Sequence, residues 1–114
     1  MSRLEGKVAL ITGGSRGIGA AIARKLAGDG ADIAITYARS SERAIATVNS
    51  IIVEGRRATA IEADNADPAK VGAAVKQTVK ELGRLDILVN NAGIFLVGSI
   101  DAVSLEDLPS SHQR

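Results

Sequence analysis

The chain has 114 residues, a formal net charge of +1, 46% hydrophobic residues, no cysteine, and Tyr37 and Phe95 as its two aromatics. This is the length of one domain with apolar content for a small core. Disulfides and thiolate metal sites are excluded, and so weak a charge with so few aromatics argues against nucleic acid or an acidic membrane surface as a partner.

The first strand is Val8-Ala9-Leu10-Ile11, four apolar residues in a row, as expected of a strand buried on both faces of a parallel sheet. A glycine-rich turn follows, then a helix over about 17–27 with Ile18, Ala21, Ile22 and Leu26 in its pattern and a stop at Gly28-Asp29-Gly30. Asp32-Ile33-Ala34-Ile35-Thr36-Tyr37 reads as the second strand. The second helix starts near Ser40 or Ser41, either a good N-cap, carries Ala44, Ile45, Val48, Ile51 and Ile52 on one face, and stops at Gly55. The third strand is predicted over residues 57–62. Asp67-Pro68 then supplies an N-cap and a proline at the first helical position. Val71, Ala74, Val75, Thr78, Val79 and Leu82 keep helical spacing up to Gly83, and Leu85-Asp86-Ile87-Leu88-Val89-Asn90 forms the fourth strand.

Strands alternating with helices through short connections imply an α/β fold. It is a partial Rossmann-type doubly wound parallel sheet with expected strand order 3-2-1-4. Its topological switch point lies between strands one and four. The fourth strand is expected to be an unpaired edge, and the apolar stretch over residues 85–96 an aggregation liability there. Further on, Ser104-Leu105-Glu106-Asp107 has the pattern of a capping box, but Pro109 arrives at about the fifth helical position, where it costs about 3 kcal/mol. A helix is announced and then aborted.

The turn after the first strand carries the candidate site. A strand that passes through glycines into a helix start aims unpaired N–H groups and a positive dipole end at one spot, which suits a phosphate. Gly13 permits the sharp turn, Gly17 lets the backbone approach a pyrophosphate, and Gly19 allows close helix–strand packing. The spacing is neither G-x-G-x-x-G nor a Walker A sequence; it is T-G-x-x-x-G-x-G, from Thr12 to Gly19. Together with Asn90-Asn91-Ala92-Gly93, it resembles the short-chain dehydrogenase/reductase family, with its 3-oxoacyl-ACP-reductase-like branch as one possible placement.

That resemblance implies a nicotinamide dinucleotide, held by Gly13, Ser15, Arg16, Gly17, Ile18 and Gly19 in the turn. An acid at the end of the second strand would favour NAD, and arginine there suits a 2′-phosphate. Tyr37-Ala38-Arg39-Ser40 contains no acid, so Arg39, Ser40 and Arg16 are expected to select NADP(H) over NAD(H), with Tyr37 alongside. The bland alternative is two solvated arginines. Asp64 and Asn65 match the place where the family contacts adenine, although Asn65 departs from the apolar residue often found there; alternatively Asp64 opens a turn to Asp67. By the same resemblance Asn91, Ala92, Gly93 and Ile94 line the pocket and Asn90 supports the sheet. His112, the one histidine, has no patterned metal or catalytic partner.

The resemblance covers about residues 5–107 and matches the N-terminal half of a family member. The family's catalytic tyrosine with lysine four residues on is absent: Tyr37 is the one tyrosine and Ser41 stands four residues after it. Hydride transfer to a carbonyl also needs a placed proton donor. Residues 1–97 are therefore expected to be a truncated NADP-binding domain, followed by an irregular tail over residues 98–114, with no catalytic residue and no metal. Three readings stand: the cofactor-binding half of an oxidoreductase, inactive alone; a non-catalytic NADPH-binding module; and an unstable truncation product. Methyl transfer from S-adenosylmethionine is disfavoured by Arg16, Arg39 and the Asn-Asn-Ala-Gly turn. No apolar run is long enough to span a membrane, and the N-terminus enters its first strand without a signal-type apolar stretch, so a cytoplasmic location is expected.

Overall fold

In a computed structural model of the chain, the described residues are 3–13, 17–63, 67–90 and 93–100. The elements run β1 (Val8–Ile11), α1 (Gly17–Gly28), β2 (Asp32–Tyr37), α2 (Ser41–Val53), β3 (Ala58–Glu62), α3 (Pro68–Leu82), β4 (Leu85–Asn90) and β5 (Gly93–Ile100). They form one five-stranded sheet of order β3-β2-β1-β4-β5. The first four strands pair in parallel, with Ile11 opposite both Ile35 and Val89. The expected order 3-2-1-4 is present.

Two clusters show why β1 lacks polar residues. Ala9 and Ile11 face one side with Ile33, Ile35, Ile87 and Val89, where Ala23 and Ala27 of α1 and Ala44 and Ile51 of α2 cover them. Val8 and Leu10 face the other side with Ala34, under Ala74, Val79 and Leu82 of α3. All four β1 side chains are at most 1% exposed. Helices on both faces follow from three parallel crossovers of one hand.

The helix boundaries follow their caps. Asp67 accepts a hydrogen bond from the Ala69 N–H at 3.0 Å ahead of Pro68, and Gly83 closes α3 in the left-handed region at φ 94°. The helical faces of α1 and α2 match expectation at Ile22, Leu26, Ala44, Val48 and Ile51, which pack on the core, and differ elsewhere. In α1 the buried residues are Ala20, Ala23 and Ala27, while Ile18 and Ala21 are exposed; in α2 they are Ala44, Thr47 and Ile51, while Ile45 and Ile52 are exposed. Small residues let these helices lie close to the sheet, so alanine and threonine share the contact line with Ile51, while Ile22, Leu26 and Val48 are partly buried beside it.

The expected bare edge at β4 is also corrected. β5 returns antiparallel along it, with Asn90 opposite Gly93, Leu88 opposite Phe95 and Ile87 opposite Leu96. Two residues separate the strands, the length that suits an antiparallel return. The register then shifts: Leu85 lies opposite Ile100, so β5 holds extra residues across from Asp86. The sheet thus reaches past residue 97, and the capping pattern at Ser104, Pro109 and His112 lie outside the described residues.

Asp86 fastens the start of the central strand. Its carboxylate accepts the Val8 N–H at 2.9 Å and takes both arms of Arg84, at 3.0 and 2.9 Å, while only 7% exposed. Burial pushes its pKa up, but the Arg84 hydrogen bonds, the Val8 N–H and the charges of Arg84 and Lys7 outweigh it and hold the carboxyl below its ordinary value. A depressed folded pKa makes this tie fully stabilising above the unfolded value of about 3.9, and progressively lost as pH falls through the folded value. Asp86→Ala strands the Val8 N–H and is expected to cost about 2–3 kcal/mol in urea unfolding at neutral pH. The gap to the parent chain should narrow in acid; a gap that is constant across that range contradicts the assignment.

Candidate functional site

Three strand ends and one helix start converge at the carboxyl side of the sheet. There β1 runs out of partners and its next two N–H groups are taken by neighbours. The Thr12 N–H donates to the Val89 carbonyl at 2.9 Å, as does its hydroxyl at 3.3 Å. The Gly13 N–H donates to the Thr36 hydroxyl at 2.9 Å. Thr36 is 1% exposed, so its oxygen is a fixed acceptor. The ends of β1, β2 and β4 are thereby locked together. Gly13 itself takes φ 72°, a conformation that glycine adopts without strain.

Beyond the turn, α1 opens at Gly17 with φ +62°, and a Cβ built there would meet nothing within 4 Å. Among the described residues, the space over the first helical residue is open. Its first turn carries no acid, so no side-chain charge offsets the positive helix end. Ile18 is 79% exposed and Gly19 half-buried. Ile18 is therefore no core residue; it flanks the open space.

At the neighbouring strand end, Tyr37 is half-buried against the cluster of α1 and α2, and its carbonyl accepts the Ala63 N–H at 2.9 Å. Arg39 is exposed, and its guanidinium makes no hydrogen bond or ion pair among the described residues. Ser40 occupies the N-cap position of α2 without a side-chain cap bond, although its carbonyl accepts the Ala44 N–H at 2.9 Å. Among the described residues a cation and a hydroxyl thus stand unengaged at the end of β2. Two other arginines are committed: Arg57 to Asp32 and the Leu82 carbonyl, Arg56 to the Gly30 carbonyl.

Of the sequence-predicted site residues, Gly13, Gly17, Ile18, Gly19, Tyr37, Arg39 and Ser40 lie at these two adjacent strand ends, and Gly93 follows the end of β4 opposite the half-buried Asn90. Ser15, Arg16, Asp64, Asn65, Asn91 and Ala92 lie outside the described residues. Sequence reasoning missed Thr36 as a support of the turn. Its signal was a hydroxyl inside an otherwise apolar strand, where a buried polar group needs a partner. Among the described residues no group of three His, Cys, Asp or Glu is placed to hold a metal ion, and no helix is long and apolar enough to cross a membrane.

Comparison with known proteins matches this arrangement. The family described as short chain dehydrogenase matches residues 7–112. An uncharacterized oxidoreductase of Methylorubrum extorquens is 46% identical over 106 residues, covering 93% of this chain and 43% of that protein. A 3-oxoacyl-acyl-carrier-protein reductase of Staphylococcus aureus is 50% identical over 88 residues, 77% of this chain and 36% of its own length. Among solved structures, a short chain dehydrogenase from Burkholderia cenocepacia in complex with NADP is 63% identical with a TM-score of 0.76, covering 92% of this chain and 43% of that one. A blue fluorescent protein from a metagenomic library, in complex with NADPH, is 62% identical with a TM-score of 0.74, over 83% of this chain and 39% of that one. The chain thus spans roughly two-fifths of the length of these relatives. With its glycine turn, its parallel sheet and a family match over most of its length, the chain belongs to the short chain dehydrogenase family.

Proposed function

We propose that the chain is the dinucleotide-binding half of an oxidoreductase of this family, and that it holds NADP(H) in preference to NAD(H). The observation that carries the preference is the unengaged pair of Arg39 and Ser40 at the end of β2, with no acid between Tyr37 and Ser40. A 2′-phosphate would find there a guanidinium fork and a hydroxyl; a ribose 2′-OH would find no carboxylate to accept it. The open space over Gly17 and the helix end without acid fit a pyrophosphate. Two similar solved proteins are described as complexes with NADP and NADPH.

In this reading Gly13, Ser15, Gly17, Ile18 and Gly19 receive the pyrophosphate, and Arg16, Arg39 and Ser40 the 2′-phosphate beside Tyr37. Asp64 and Asn65 stand at the adenine, and Asn91, Ala92 and Gly93 at the second ribose. A bound nicotinamide would supply or accept hydride. The 114 residues hold no tyrosine with lysine four positions on, so no side chain is assigned to donate a proton to a carbonyl oxygen. The chain as given therefore binds without reducing. Relatives' names point to carbonyl or alcohol substrates for a protein carrying the rest of the family's length. The ties among Thr12, Gly13, Thr36 and Val89 favour a folded binding module over an unstable product.

The test is thermal unfolding with NADPH, with NADH and with neither. NADPH at about 100 times its Kd should stabilise by about 2.7 kcal/mol, and NADH at the same concentration by less. Equal shifts would remove the preference, and no shift with either would remove the binding reading. Arg39→Ala should weaken NADPH by about 10- to 100-fold, the value of a charged hydrogen-bond partner, and leave NADH nearly unchanged. Thr36→Val frees the Gly13 N–H and should weaken both dinucleotides alike, as measured by calorimetric titration.

A further inference from the structure

Helix α2 has an outer flank and one that faces α1. It lies over β2 and β3, with α1 beside it on the β1 side, and β3 is the end of the sheet. Ile45 and Ile52 are 55% and 49% exposed, so theirs is the outer flank. Thr47, at 3%, and the half-buried Ser50 turn the other way, towards α1. Arg43 precedes Thr47 by four residues and Ser50 by seven, the spacing of one stripe along a helix. It therefore stands on the α1 flank of the first turn, and its side chain tilts back towards the helix start. Both helices follow parallel strands, so both begin at the carboxyl side of the sheet. The tilt of Arg43 leads towards Arg39 and Ser40, on the side of α2 that faces the start of α1.

Among the described residues the Arg43 guanidinium makes no ion pair or hydrogen bond, and the residue is exposed. One turn away stand Arg39 and Ser40 behind it and Ala46 and Thr47 ahead, so no carboxylate lies at helical contact spacing. Glu42 points about 100° round the helix from Arg43, to the solvent side. The choice of arginine runs against local rules. Three positions after an N-cap serine, glutamate or glutamine would close a capping box, and a cation in the first turn opposes the helix dipole. Arg39 and Arg43 also repel each other across that turn. A bound anion reverses each of these costs. A phosphomonoester carries a charge of about −1.5 to −2 near neutral pH, so a single guanidinium leaves much of it uncompensated.

Resting on the NADP(H) reading given above, we propose that Arg43 is a further ligand of the 2′-phosphate, reaching back from α2 to share it with Arg39 and Ser40 and so setting cofactor preference. Calorimetric titration of the full chain with NADPH, NADH, adenosine 2′,5′-bisphosphate and adenosine 5′-monophosphate isolates the contribution of that phosphate. Arg43→Ala should weaken NADPH and the bisphosphate about tenfold and leave NADH and the monophosphate nearly unchanged. Arg43→Lys should recover part of the loss, as a point charge without the guanidinium fork. Combining Arg39→Ala with Arg43→Ala should bring NADPH down to the affinity of NADH. Without ligand, the unfolding midpoint of Arg43→Ala should equal or exceed the parent's, because the cation opposes the helix dipole. A parent that prefers NADPH, with an Arg43→Ala variant that binds it equally well, overturns this inference alone. A parent that binds NADPH and NADH alike overturns the NADP(H) reading and this inference with it. Equal losses for all four ligands, or a lower unfolding midpoint of Arg43→Ala without ligand, make Arg43 a structural residue and overturn the inference too.

Discussion

A central strand that ends before its neighbours must place its last backbone donors somewhere, because buried N–H groups are rarely left unpaired. Here the Thr12 N–H goes to the Val89 carbonyl and the Gly13 N–H to the Thr36 hydroxyl. The rest of the candidate site depends on that placement. It sets the point at which the chain leaves the sheet, and so the approach of the glycine turn to the start of α1. It also draws the ends of β2 and β4 to fixed positions beside β1, so that Arg39 and Gly93 flank the turn from opposite sides.

Much of this was legible in the residues. Val8 to Ile11 is apolar throughout because both faces of β1 are covered, and Asp67-Pro68 with Gly83 marks α3 at both ends by local chemistry alone. Periodicity succeeded for α3 and in part for α1 and α2, where Ile22, Leu26, Ala44, Val48 and Ile51 pack on the core as expected while Ile18, Ala21, Ile45 and Ile52 do not. Apart from Ile51, the fully buried residues of those two helices are alanine and threonine, whose small side chains allow close approach but carry little hydropathic signal. Isoleucine at 18, 45 and 52 carries a strong signal and points elsewhere.

The return of β5 was hidden for another reason. The fourth strand was expected to be a bare edge and the chain from residue 98 an irregular tail, whereas the β-forming residues over 93–100 and a two-residue link permit that stretch to become the neighbour that covers the edge. Register and direction are tertiary properties that no local pattern in Leu85 to Ile100 declares. Likewise Asp86 reads as an odd polar residue in an apolar strand; only the fold reveals that Val8 and Arg84 are its partners. In the binding region the sequence showed which residue types were present, and the structure added that Arg39 and Ser40 are uncommitted while Arg56 and Arg57 are not.

The contact between Val8 and Asp86 spans 78 positions of the chain, and that between Thr12 and Val89 spans 77. The strand at the middle of the sheet is thus synthesised well before β4, the neighbour that completes its pairing. On the ribosome β1 can pair with β2 early but must keep its other side open until residues 85–90 have emerged. For that interval an apolar strand offers a bare ladder to any passing chain. Production of this protein should therefore be sensitive to the pace of translation and to chaperone supply.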